Sequence, residues 1–87
     1  MKLYLSIPEK FSVRKFSKTW KQLTNQLEFR YPGAEIISRL TGNSIEEADI
    51  VIFLYGSIFN SEQCKQDMKF CRKFDVPYNF IVRSYIE

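Results

Sequence analysis

Apolar and polar positions alternate over Lys2–Ile7 (KLYLSI), a β-rich stretch that predicts a first strand, and Pro8-Glu9-Lys10 breaks the alternation into a loop. From about Ser12 the period lengthens. Val13, Phe16, Trp20, Leu23 and Leu27 are spaced as one face of an amphipathic helix, with Ser12 as N-cap and an end near Arg30. Tyr31-Pro32-Gly33 stops that helix. Ala34–Ser38 (AEIIS) predicts a short second strand, and Arg39–Asn43 a connection containing Thr41-Gly42-Asn43. Ser44–Glu47 (SIEE) has the spacing of a capping box and room for a single helical turn.

Asp49–Leu54 (DIVIFL) is almost wholly apolar, as a strand covered on both faces must be, and is the central-strand candidate. Tyr55–Asn60 follows as a loop. Ser61 caps a second amphipathic helix reaching about Phe74, which Asp75-Val76-Pro77 ends, and Tyr78–Val82 (YNFIV) predicts the fourth strand. Strands alternating with helices imply a parallel sheet with right-handed crossovers. The expected architecture is α/β: a small four-stranded parallel sheet in a flavodoxin-like or Rossmann-like three-layer βα sandwich, a single domain over 1–87.

Composition narrows the chemistry. The chain has 87 residues, 45% of them hydrophobic, and eight phenylalanines, five tyrosines and a tryptophan give so short a chain a substantial core. It contains no histidine, which excludes Ser-His-Asp and Cys-His catalysis and any His-ligated metal. Cys64 and Cys71 lie two helical turns apart, about 10.5 Å, too far for a disulfide. They read as buried thiols in a reducing compartment, and they do not make a zinc site. No cofactor and no metal is expected. No apolar run approaches the ~20 residues of a membrane span, and the opening MKLYLSI lacks the pattern of a signal peptide, so a cytoplasmic protein is expected.

The net charge of +3 is compatible with an anionic ligand. Arg14, Lys15, Lys18 and Lys21 form a basic arc on the first helix. Without interleaved aromatics it reads as a solvated face rather than a nucleic-acid stripe.

In sheets of this kind ligands bind beyond the carboxyl ends of the strands, near the switch point in strand order. The loops expected there are Ser6–Lys10, Ser38–Asn43 and Tyr55–Ser61, and the last feeds a helix N-terminus that favours an anion. Neither the G-x-G-x-x-G nor the G-x-x-x-x-G-K-[ST] pattern is present. On the second helix Cys64, Met68, Cys71 and Phe74 define an inward arc, and Asp67 falls inside it. A carboxylate so placed is either raised in pKa or partnered: a nucleophile or general acid reaching the strand-end cleft, or a structural acid bonded to a neighbour.

Several of these residues stand together in one family pattern. The strand and turn Met1-Lys2-Leu3-Tyr4-Leu5-Ser6-Ile7-Pro8, the pair Ala48-Asp49, Gly56, and the series Ser61, Cys64, Asp67 and Cys71 run in order through the chain. In these the chain resembles the nucleoside 2-deoxyribosyltransferase-like superfamily, especially its small bacterial and phage members. The resemblance implies that Asp67 holds the place of a glutamate that attacks the anomeric carbon of a deoxynucleoside and forms a covalent glycosyl intermediate. It implies a ligand cleft formed by Ser6, Ile7, Pro8, Gly56, Asn60 and Ser61, with Arg39 available to an anion, and a homodimer or higher oligomer that completes the site. The chain differs from the pattern at Ile7, where the family has glycine, at Gln63-Cys64, where it has glycine-alanine, and in the shorter acid at 67.

Two functions follow. One is a nucleoside- or nucleotide-binding domain, an N-glycosidic bond hydrolase or deoxyribosyltransferase acting on (deoxy)nucleosides or their 5′-monophosphates. The other is a non-catalytic module on the same fold, a phage-type accessory protein that binds or inhibits a protein partner through aromatics such as Phe59, Phe70 or Tyr85.

Overall fold

The computed structural model describes residues 1–8, 13–54 and 61–81, and of residues 13–19 the backbone alone. Strand β1 (Lys2–Ser6) leads to helix α1 (Val13–Arg30), strand β2 (Glu35–Ile37), two 3-10 turns (Arg39–Thr41 and Ile45–Glu47), strand β3 (Ile50–Leu54), helix α2 (Glu62–Lys73) and strand β4 (Tyr78–Ile81). The strands form one all-parallel sheet in the order β2-β1-β3-β4. This is the order of the first four strands of a flavodoxin-like sheet.

The period-2 pattern of the strands divides the core into two layers. Leu3, Leu5 and Ile7 with Ile52, Leu54 and Ile81 meet Leu23 and Leu27 of α1. Tyr4, Val51, Phe53 and Ile37 meet Met68 and Cys71 of α2. The two helices therefore cover opposite faces of the sheet, and β3 is apolar throughout because both of its faces are covered. Among the described residues, no helix is long and apolar enough to cross a membrane.

Several boundaries differ from the sequence expectation. The first strand ends at Ser6, and Ile7 lies beyond its pairing with β3. The second strand shrinks to three residues, because Ser38 turns away to cap a 3-10 turn that the sequence did not suggest. Its Oγ accepts from the Leu40 N–H at 3.0 Å, and its own N–H donates to Thr41 Oγ1 at 2.9 Å. The capping box at Ser44 forms as expected, with the Ser44 N–H donating to Glu47 Oε2 at 2.7 Å, a bond that holds the Glu47 carboxyl below its ordinary pKa. Asp49 lies just before β3, and its Oδ2 accepts the Lys2 N–H at 2.7 Å, fixing the start of β1 beside β3. Ser12 and Val82 lie outside the described residues.

The end of α2 departs furthest. Phe74 was expected on the inward arc but is 59% exposed. It is the C-cap residue, with non-helical φ and ψ, so the 100° wheel no longer applies to it. Beyond it Asp75 adopts a left-handed φ of 53°, and the Val76 N–H donates to the Cys71 carbonyl at 2.9 Å. This is a Schellman ending with aspartate where glycine is usual.

Candidate functional site at the switch point

The connection from β1 runs to β2 on one side and that from β3 runs to β4 on the other, so the switch point lies between β1 and β3. Ser6, the last residue of β1, sits there with its side chain on the α2 face. Its Oγ donates to Asp67 Oδ2 at 2.6 Å, a bond between two side chains 61 residues apart. Ser6 is fully buried and Asp67 is 4% exposed. The second oxygen, Oδ1, accepts from Gln63 Nε2 at 3.1 Å, one helical turn back on α2. The half-buried Gln63 is the outermost member of the trio.

Helix α2 presents the acid because its N-terminus is fixed. Ser61 caps it, accepting the Cys64 N–H at 3.2 Å, and Glu62 in the first turn with Arg72 and Lys73 in the last complement the helix dipole. That phase buries Cys64, Asp67, Met68 and Cys71 together.

Burial is the largest influence on Asp67, and it pushes the carboxyl pKa up. The Ser6 and Gln63 hydrogen bonds and the charge of Arg39 act in the opposite sense without cancelling it. The same acid marks its neighbours. Burial first and Asp67 second push the Tyr4 phenol up to about 12, while the charge and backbone N–H of Arg39 pull the other way. Burial and then Asp67 push the Cys71 thiol up to about 11. Ionised, Asp67 is a poorly solvated carboxylate; protonated, it carries a proton it could donate.

Arg39 stands at the rim. Its Nη1 donates to the Ile7 carbonyl at 3.3 Å and its Nη2 to the Pro8 carbonyl at 3.5 Å, so the side chain ties the end of β2 to the turn after β1. No acid lies in ion-pair contact with it among the described residues. The expected ligand-lining role of Ile7 meets a different geometry: its side chain is buried in the α1 layer, and only its carbonyl faces Arg39.

Of the residues expected at the site, the structure thus brings together Ser6, Asp67 and the turn Ile7-Pro8 with Arg39, and Ser61 is buried at the start of α2. Gly56 and Asn60 lie outside the described residues. Tyr4 and Gln63 join the site without having been anticipated. Tyr4 and Ser6 alternate with Leu3 and Leu5 and share the α2-facing side of β1, and Gln63 precedes Asp67 by one turn; those were the available signals. Among the described residues no group of three His, Cys, Asp or Glu side chains is placed to hold a metal ion. Comparison of the chain with protein-family models, with curated proteins and with solved structures returns no match.

Proposed function

We propose that the chain is a nucleoside- or nucleotide-binding domain whose ligand enters at the carboxyl end of β1 and β3, with Asp67 as the carboxylate that meets the sugar. The observation that carries this reading is the Ser6–Asp67 pair: a buried acid with a raised pKa, held by a strand-end hydroxyl at 2.6 Å at the switch point of a parallel sheet. Ser6 and Gln63 orient both carboxylate oxygens, and Arg39 supplies a cation at the rim. In a glycosidic cleavage an Asp67 oxygen bonds to C1′ as the C1′–N bond breaks. The base leaves with the electron pair and takes a proton, and water or a second base then opens the glycosyl ester. The cytoplasm, where nucleotides are abundant, is the compartment this reading assigns.

Incubating the protein with a panel of nucleosides and 5′-monophosphates tests it. Release of free base that Asp67→Ala abolishes, with the fold intact by circular dichroism, supports cleavage. Ligand-dependent stabilisation without release supports binding alone. Neither effect across the panel removes the reading.

A second reading, a protein-interaction module, draws on the exposed aromatics. Phe29 is 88% exposed, and Phe70 packs at a tilt against the exposed Phe74 with ring centroids 4.8 Å apart. Phe59 and Tyr85 lie outside the described residues. A stable protein partner lost on Phe29→Ala or Phe74→Ala, with no nucleotide effect on Tm, would favour it.

A further inference from the structure

Among the described residues, strand β4 is an edge of the sheet, bonded to β3 alone. In the parallel register Val51 pairs with Tyr78, and the Val51 N–H donates to the Pro77 carbonyl at 2.9 Å. Residues 77, 79 and 81 therefore turn their peptide groups toward β3, and the N–H groups of Tyr78 and Phe80 point away from it. Tyr78 and Phe80 are also exposed large aromatics, packed edge-to-face with centroids 6.1 Å apart. An edge with outward N–H groups beside exposed aromatic rings is a template for another strand.

One of those N–H groups is already taken. The Phe80 N–H donates to Asn79 Oδ1 at 2.9 Å. The other end of the same amide is held across the α1 side of the sheet, where Asn79 Nδ2 donates to the Tyr31 hydroxyl at 3.3 Å. The carboxamide is thus anchored at both ends, with its acceptor over the middle of the edge. A strand approaching β4 would have to break the Phe80 bond and displace the amide before pairing.

We propose that Asn79, braced by Tyr31, guards the free edge of β4 and prevents it from pairing with a second copy of the chain. Any homo-oligomer of this protein then uses another surface. Asn79→Ala removes the guard, whereas Asn79→Lys removes the acceptor but places a charge on the edge, which itself opposes pairing.

Amide exchange at Phe80, measured at low concentration, and sedimentation velocity over a wide concentration range test the proposal. Exchange at Phe80 is expected to quicken by roughly tenfold in both variants, the factor associated with one lost hydrogen bond. Asn79→Ala is expected to associate as concentration rises, while Asn79→Lys and the wild type sediment as monomers or as a species whose β4 amides do not change with concentration. Unchanged Phe80 exchange in Asn79→Lys overturns the proposal even if Asn79→Ala fails to fold. So does faster exchange in Asn79→Ala without association, or concentration-dependent protection of Tyr78 and Phe80 in the wild type.

Discussion

Replacing Asp67 by asparagine separates what this residue costs the fold from what it offers a ligand. The side chain is 4% exposed, and its carboxylate accepts from Ser6 at 2.6 Å and Gln63 at 3.1 Å. Burial nevertheless outweighs both bonds and the charge of Arg39, so the pKa is raised above the ordinary aspartate value. The folded state therefore holds the Asp67 proton more tightly than the unfolded chain does. Its contribution to stability is fully present below about pH 3.8 and is lost as pH rises through the higher folded-state pKa. Asparagine keeps the shape, accepts through its carbonyl oxygen and donates through its amide, so it resembles the protonated acid.

Asp67→Asn is accordingly expected to be more stable than the wild type at pH 7. A gain of 1 kcal/mol would read as roughly 4–8 °C in Tm for a chain of this size. Paired urea melts of wild type and variant from about pH 3 to pH 8 measure it, because titrations common to both cancel in the difference. The gap is expected to be near zero at the acid end, to open as the wild-type carboxyl ionises, and then to stay level. A variant that is less stable than wild type at pH 7, by an amount independent of pH, would refute the reasoning. Asp67 would then be a structural acid whose hydrogen bonds outweigh its burial.

Further outcomes follow from the same contacts. Ser6→Ala leaves Asp67 Oδ2 without its donor and is expected to cost about 1–3 kcal/mol in urea melts. In the Asp67→Asn background the cost is expected to fall by about 1 kcal/mol, and a double-mutant cycle with no coupling would contradict the pairing. Asp75→Gly relieves the left-handed φ of 53° at the end of α2 and is expected to raise stability by roughly 0.5–1 kcal/mol; a loss would show that the aspartate side chain stabilises the turn. The Cys71 thiol, buried and pushed up to about 11, is expected to react with a disulfide reagent at pH 8 only as fast as the chain unfolds. Immediate labelling of the folded protein would contradict its burial.

The architecture was legible because the chain changes period where its elements change. Strand alternation in β1, the continuous apolar run of β3 and the helical spacing of Leu23 and Leu27 each correspond to a buried face in the structure. Legibility failed where a local bond decides the backbone. Ser38 leaves β2 to cap a 3-10 turn, and Phe74 leaves the helical wheel because a Schellman turn begins there. The burial of Asp67 was readable from its phase on α2, but its partner was not, since no local pattern joins residues 61 apart. The tie of the Arg39 guanidinium to the Ile7 and Pro8 carbonyls was not readable either, because it is set by the turn after β1 rather than by the neighbours of Arg39 in sequence. Ile7 shows the same limit. Its place in a family-like motif suggested a cleft, and its side-chain direction, fixed by the period of β1, sends it into the α1 core.

The most direct test of the account is an NMR titration of the 15N-labelled protein with nucleosides and nucleoside 5′-monophosphates. Binding at the switch point is expected to shift the amides of Ser6, Ile7, Arg39, Gln63 and Asp67 together, to leave those around Asp75 and Tyr78 unchanged, and to weaken in Asp67→Asn. No shift with any member of the panel, or shifts confined to residues away from Ser6 and Asp67, would contradict it.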